Sequence, residues 1–125
     1  MIIAQGDVLE TIETLQYRDE LVKAIEKHGF LPQNLEFVDG IPDDPRRASR
    51  VYKIEKRILI KKSIPREDKV ANIEFLFAKF PEETAKLDDD FKFVKQLVLY
   101  EMFHIVYRYQ TDYECAKWAF YHLNR

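Results

Sequence analysis

Cysteine and histidine are scarce in this chain, which contains one cysteine and three histidines. The single Cys115 has no partner for an internal disulfide, and zinc fingers closed by four protein ligands use at least two cysteines. The composition therefore excludes an internal disulfide framework and a structural zinc finger. A reducing, cytoplasmic setting is the expectation that follows.

Glycine is also scarce, long apolar runs are missing from the sequence, and the net charge is small. Three glycines leave no glycine-rich phosphate loop, and no apolar run approaches the roughly 20 residues that a membrane-spanning helix needs. The start, MIIAQGDVLE, lacks the basic and apolar segments of a secretory signal. Because 20 basic and 22 acidic side chains leave a net charge of −2, we expect neither nucleic acid nor a membrane as partner.

The chain does contain enough apolar material for one folded domain. Hydrophobic residues make up 46% and aromatic residues 14% of its 125 residues, and this length suits a single core. We expect one domain, residues 1–125, of the α+β class, in which helices pack on a short antiparallel sheet.

The first third of the chain predicts one long helix, a strand and a loop. Asp7 and Glu10 have the spacing of a capping pair, and apolar residues then recur at helical spacing, so we expect a helix that ends near Gly29. Residues 35–38 predict a short strand. Residues 39–49 are rich in Gly, Pro and Asp, which predicts an exposed, mobile loop.

Residues 51–62, VYKIEKRILIKK, predict a two-stranded antiparallel hairpin. The β-branched or aromatic residues alternate with charged ones on both sides of Glu55 and Lys56, where we place the turn. One continuous charged helix is the alternative. The β-branched residues favour the hairpin.

The second half of the chain predicts helices. Pro65 marks the start of one helix, and Pro81 marks its end. Asp88, Asp89 and Asp90 then offer N-caps for the next helix. We interpret this acidic run as a solvated helix start rather than as a metal site.

The last third of the chain carries the candidate site. Glu101 and His104 are three residues apart and therefore share one helix face. The letters Y-E-M-F-H come close to the zinc-peptidase motif H-E-x-x-H, in which two histidines bind zinc and the glutamate activates water. Tyr100 stands at the first histidine position, and a phenol with a reference pKa near 10 is a poor zinc ligand at pH 7. Asp112 or Glu114 on the next helix is the candidate acidic ligand.

Each of these residues also has a purely structural interpretation. Thr111 and Glu114 match a T-x-x-E capping box, and His104 and Glu101 match a hydrogen-bonded pair within the core. The site hypothesis depends on the residues acting together. It predicts that His104 lies within hydrogen-bonding distance of Asp112 or Glu114.

Three segments, ILI, LVLYEMFHIVY and DYECAKWAFYHL, together resemble a known family. They are similar to the strand, the H-E-x-x-H helix and the E-x-E-A-x-x-F-A helix of the ImmA/IrrE-type metallopeptidases, small zincins that cleave repressor proteins. The resemblance covers roughly residues 50–123. It implies a small zincin-like domain in which Glu101 is the catalytic, water-activating residue, His104 is a metal ligand, and Asp112 or Glu114 supplies the acidic ligand.

Tyr100 is the departure from that family. With one histidine replaced, the resemblance implies a degenerate zincin-like domain that binds no zinc tightly and holds a divalent metal such as zinc weakly at most. We expect it to act as a binding module for a protein or peptide partner, which would lie extended along the hairpin edge. The alternative is a metal-dependent hydrolase, a peptidase with an altered metal site and Glu101 as general base.

Overall fold

Five strands form two small sheets in residues 11–124, the part of the chain that the computed structural model describes. The strands are β1 (Thr11–Glu13), β2 (Leu35–Val38), β3 (Ser49–Tyr52), β4 (Arg57–Lys61) and β5 (Ser63–Pro65). β1 and β5 form an antiparallel pair. The other three have the order β2-β4-β3, in which β3 is antiparallel and β2 is parallel to β4. The predicted α+β class is confirmed, although the larger sheet is mixed rather than purely antiparallel.

Five helices complete the described fold. They are α1 (Arg18–Glu26), α2 (Arg66–Phe77), α3 (Pro81–Thr84), α4 (Asp90–Val106) and α5 (Asp112–His122). One hydrophobic core extends from Ile12 to Leu123. None of the helices within residues 11–124 is long and apolar enough to cross a membrane.

Helix α4 is the central element of the core. Every residue from 97 to 105 is buried, so this part of the helix must be covered on all sides. The covering elements are α1, α5, β3 and β4, all of which pack against α4. Its N-terminus is capped as predicted, because the Asp89 carboxylate accepts hydrogen bonds from the backbone N–H groups of Phe91 and Lys92.

The predicted long first helix is confirmed only from residue 18. Its end at Glu26 is close to the predicted end near Gly29, but residues 11–17 are not α-helical. Residues 11–13 form β1, and a 3-10 turn (Thr14–Tyr17) separates this strand from α1. Ile12 pairs with Ile64 of β5, and the Thr14 hydroxyl donates to the carbonyl of Lys61 at 2.6 Å. These long-range contacts outweigh the helical spacing of the apolar residues. The predicted Asp7 and Glu10 cap lies outside the described residues.

The predicted strand and hairpin are confirmed. β2 has the predicted bounds, and β3 and β4 form an antiparallel hairpin. The turn contains no glycine, so Lys56 takes the left-handed conformation, with φ of 56°. The side chain of Asn34 donates to the Lys56 carbonyl at 3.0 Å, which helps to hold the turn.

Gly29→Ala is expected to lower the free energy of unfolding by about 1 kcal/mol, because Gly29 lies in the turn that follows α1 with φ of +86°, a conformation that alanine resists. No atom lies within 4 Å of the added Cβ, so the cost comes from the backbone alone. Urea unfolding measures it.

Gly40→Ala is the matched control. Its added Cβ also meets nothing within 4 Å, but its φ lies outside the left-handed region. We expect this substitution to be neutral or to stabilise by up to about 1 kcal/mol. Equal effects of the two substitutions would contradict the assignment of strain to Gly29.

Candidate functional site

A cleft of about 480 Å³ lies between α4, β3 and the loop of residues 39–48, here called the cleft loop. Tyr100, Glu101 and His104 of α4 line it, together with Asp112 at the start of α5. Of the four predicted site residues, Glu101, His104 and Asp112 therefore share one cavity. Glu114 is not among its lining residues.

His104 and Asp112 are in direct contact. The Nε2 atom of His104 is 3.2 Å from the Asp112 carboxylate, so the expected closeness of His104 to an acidic side chain is present, with Asp112 as the partner. Burial lowers the pKa of His104, although Asp112 opposes this effect. The lowered pKa favours the neutral imidazole, and the contact becomes an ion pair when His104 is protonated.

Tyr100 completes this cluster. Its ring stands edge-on to the His104 ring, with 4.8 Å between the centroids. Burial raises the pKa of Tyr100, and the nearby Glu101 and Asp112 charges and a hydrogen bond to Asp112 raise it further. The phenol therefore stays protonated, while the side chains at positions 100, 104 and 112 meet at one point.

Glu114 and Cys115 are not among the residues that line this cleft. The backbone N–H of Glu114 donates to the Thr111 hydroxyl at 3.2 Å, which is the N-cap that the capping interpretation predicts. Cys115 is buried, and burial, followed by the charge of Asp112, raises the pKa of its thiol to about 11. This thiol is protonated at neutral pH and is not an activated nucleophile.

Glu101 is held by an ion pair that the sequence analysis missed. The residue is 1% exposed, and its carboxylate accepts hydrogen bonds from the Ser49 hydroxyl at 2.8 Å and from Nη2 of Arg47 at 3.1 Å. Burial raises the pKa of Glu101 above its ordinary value, and the Arg47 charge and the two hydrogen bonds oppose this effect. The available signal was the pair of arginines just before β3, since a glutamate on an otherwise apolar helix needs a cation nearby.

The cleft loop is exposed at residues 39–40 and 42–46, as predicted, but its end next to β3 is anchored. Lys61 donates to the Pro45 carbonyl at 3.1 Å, and the Asn72 side chain donates to the Arg46 carbonyl at 3.1 Å. Asn72 also accepts from the backbone N–H of Ala48 at 3.4 Å. Because Lys61 and Asn72 are both buried, the end of the loop next to β3 is fixed to the core.

The residues present do not fit the zinc that the family resemblance implies. A catalytic zinc site needs three protein ligands, whereas only His104 and Asp112 offer ready donors and Tyr100 keeps its proton. Glu101 already faces the Arg47 guanidinium, whose charge disfavours a second cation. Across residues 11–124, no group of three or more His, Cys, Asp or Glu side chains is arranged to hold a metal. The metal roles of His104, Asp112 and Glu114 stay predictions.

Comparison with known proteins identifies no relative. No protein-family model, curated protein or solved structure matches the chain. The resemblance to the ImmA/IrrE-type metallopeptidases therefore also stays a prediction.

Glu101→Gln is expected to change the pH dependence of stability. Since the folded-state pKa of Glu101 is raised above the ordinary value of 4.5, the folded protein binds more protons than the unfolded chain between the two pKa values. The corresponding stability is complete below the unfolded pKa and is lost as pH rises through the folded pKa. Across that interval, urea unfolding should show a shallower decline with pH for Glu101→Gln than for wild type.

Glu36→Gln is the control of opposite sign. A hydrogen bond from Arg57 lowers the pKa of Glu36, so its contribution is present above the ordinary pKa and is lost as pH falls. If both substitutions change the slope of the unfolding free energy against pH in the same direction, the assignment of a raised pKa to Glu101 is wrong.

Proposed function

We propose that this chain is a degenerate zincin-like domain whose cleft binds an extended segment of a partner protein or peptide without cutting it. The observation that carries the proposal is the open edge of β3 beside the cleft. β3 has β4 on one side and, within residues 11–124, no strand on the other. An extended segment would add to this edge as a further strand.

The backbone of β3 has hydrogen-bonding groups for such a strand. The Ala48 carbonyl, just before β3, accepts from the N–H of Lys61. The backbone groups of Ala48 therefore point towards β4. Because residues two apart direct their backbone groups to the same side of a strand, Arg50 also faces β4, whereas Val51 faces the open side. Its N–H and C=O are the groups that an added strand would bind.

The cleft walls also suit a peptide. Apolar contacts come from Val51 and Leu76, and charged groups come from Lys53 and Asp112. The ring of Phe75 is 76% exposed at the cleft, where a large aromatic side chain is a common binding anchor. Mixed walls of this kind match the alternating side chains of an extended segment better than they match a uniformly apolar small molecule.

The burial and the hydrogen bonds of Glu101 favour binding over hydrolysis. A general base must be within hydrogen-bond reach of the water that it deprotonates. Glu101 is almost fully buried and is already engaged by Arg47 and Ser49. No observation in the cleft favours the hydrolase alternative, whose metal the donor set does not fit.

Val51→Pro is expected to weaken peptide binding at the β3 edge by about tenfold, because proline removes one hydrogen-bond donor from the open side and crowds it. Peptides selected from a phage-displayed library of random linear sequences serve as probes. Their affinities for wild type and variants are measured by fluorescence polarisation, and circular dichroism verifies folding.

Val51→Thr is the matched control, since it keeps the backbone N–H and the β-branched shape. We expect its affinity to stay within about twofold of wild type, because the backbone donor at the open edge of β3 is unchanged. If Val51→Pro and Val51→Thr bind the selected peptides equally well, the edge-strand proposal is wrong.

Tyr100→His tests the zincin ancestry. The new imidazole would lie one turn before His104 and next to Asp112, which completes a set of three ligands. A gained zinc–imidazole bond is worth several kcal/mol, so zinc affinity in titration calorimetry should rise by on the order of a hundredfold. Adding Arg47→Met should raise it further, because the competing cation beside Glu101 is removed.

Tyr100→Phe is the control for this experiment. It removes the hydroxyl but keeps the ring that packs against Phe77 and His104. Weak and equal zinc binding by Tyr100→His and Tyr100→Phe, with both proteins folded, would contradict the zincin ancestry. The peptide-binding test would still stand separately.

A further inference from the structure

A smaller cavity, of about 250 Å³, adjoins the cleft and is here called the side pocket. It lies between the end of the cleft loop and α2. The residues that line both cavities are Asp44, Arg47 and Phe75. The residues that line the side pocket alone are Arg46, Ala71 and Asn72. Because the two cavities share a wall, a segment that lies in the cleft can continue into the side pocket.

One wall of the side pocket is an exposed apolar face of α2. Ala71 and Phe75 are four residues apart, so their side chains lie on the same face of this helix. Both residues are exposed to solvent. An aromatic ring left in water at the edge of a cavity is stabilised when the apolar part of a ligand packs on it.

Arg46 differs from the other two arginines of this region in having no ion pair. Arg47 pairs with Glu101, and Arg50 pairs with Asp43. Within residues 11–124 no ion pair involves Arg46. A carboxylate brought into the side pocket would give the Arg46 guanidinium its first charged partner, and it could accept two parallel hydrogen bonds.

The backbone of Arg46 is already fixed. Its N–H donates to the Asp44 carboxylate at 3.1 Å, and its carbonyl accepts from the side chain of the buried Asn72 at 3.1 Å. A ligand that binds Arg46 therefore has to order only the side chain, which lowers the entropy cost of binding.

The other polar groups of the side pocket compete little with Arg46 for a ligand. The amide of Asn72 donates to the carbonyls of Arg46 and Asp68, and its oxygen accepts from the N–H of Ala48. Asp44 is the one acidic lining residue within the described part of the chain. Its carboxylate is exposed, so water and salt weaken its repulsion of a second carboxylate.

We propose that the side pocket binds a glutamate or aspartate side chain of the extended partner segment. The carboxylate lies on the Arg46 guanidinium, and the methylene stem packs on the ring of Phe75. This inference rests on the proposed function, because the segment must first lie in the cleft. It adds a side-chain requirement to an edge strand that by itself recognises only backbone.

The test is a double-mutant cycle between the protein and its peptide ligand. The tightest peptide selected by wild type from the library of random linear sequences is the probe, and each of its acidic residues is replaced in turn by the corresponding amide. At one position, the amide should weaken binding to wild type by about fivefold, as expected for a partly exposed ion pair. For Arg46→Gln the acidic and amide peptides should bind equally, which shows that the two charges interact.

Arg108→Gln is the matched control, because it removes one arginine charge at an exposed position outside both cavities. It should discriminate between the acidic and amide peptides as wild type does. Asp44→Asn keeps an oxygen that can accept from the N–H of Arg46 but removes the competing charge. We expect it to tighten binding of the acidic peptide by about twofold and to leave the amide peptide unchanged.

The outcomes separate this inference from the proposed function. If Val51→Pro weakens peptide binding but no acidic position is coupled to Arg46, the edge strand is supported and the side pocket is wrong. Coupling to Arg46 in peptides that are insensitive to Val51→Pro would support the side pocket and contradict the added strand. If wild type selects no peptide that binds, both proposals fail.

Discussion

The buried carboxylate of Glu101 is the constraint on which the cleft depends. An uncompensated carboxylate inside an apolar core is very costly, so α4 needs a cation and a donor from other elements. Arg47 of the cleft loop supplies the cation, and Ser49 of β3 supplies the hydroxyl. Removing one partner from such a pair costs about 3 kcal/mol or more. One carboxylate therefore joins the helix, the edge strand and the loop into a defined cavity.

Charge matching inside the cleft bears on what it is suited to bind. Arg47 pairs with Glu101, Arg50 with Asp43, and His104 contacts Asp112. Because the two arginines are matched internally and Lys53 and Asp112 have opposite charges, a ligand selected mainly by its net charge has little to bind there. Backbone groups of β3 and the apolar walls offer the other contacts.

The sequence predicted those parts of the fold that depend on local patterns. The apolar segment that contains Glu101 predicted α4, the β-branched residues predicted the hairpin, and Asp89 was among the predicted caps. The spacing also predicted that His104 lies close to Asp112 or Glu114, and Asp112 is the residue in contact. All these features follow from contacts within one element or between neighbours in the chain.

The features that could not be predicted depend on partners far away in sequence. β1 and β5 have three residues each, too few for a recognisable alternation, and they exist because Ile12 meets Ile64. Arg47 lies in a segment whose composition is typical of an exposed loop. Nothing local distinguishes it from Arg46, and only the position of Glu101 in the folded chain makes one of them part of the site.

The complete burial of residues 97–105 affects how sequence variation in this segment should be interpreted. A helix with one exposed face accepts many substitutions on that face, but this stretch of α4 has none. If these residues vary little among related proteins, the reason would therefore be packing rather than catalysis. Positions with solvent access carry more information: an arginine kept at 47 or an aspartate kept at 112 would indicate selection for the cleft itself.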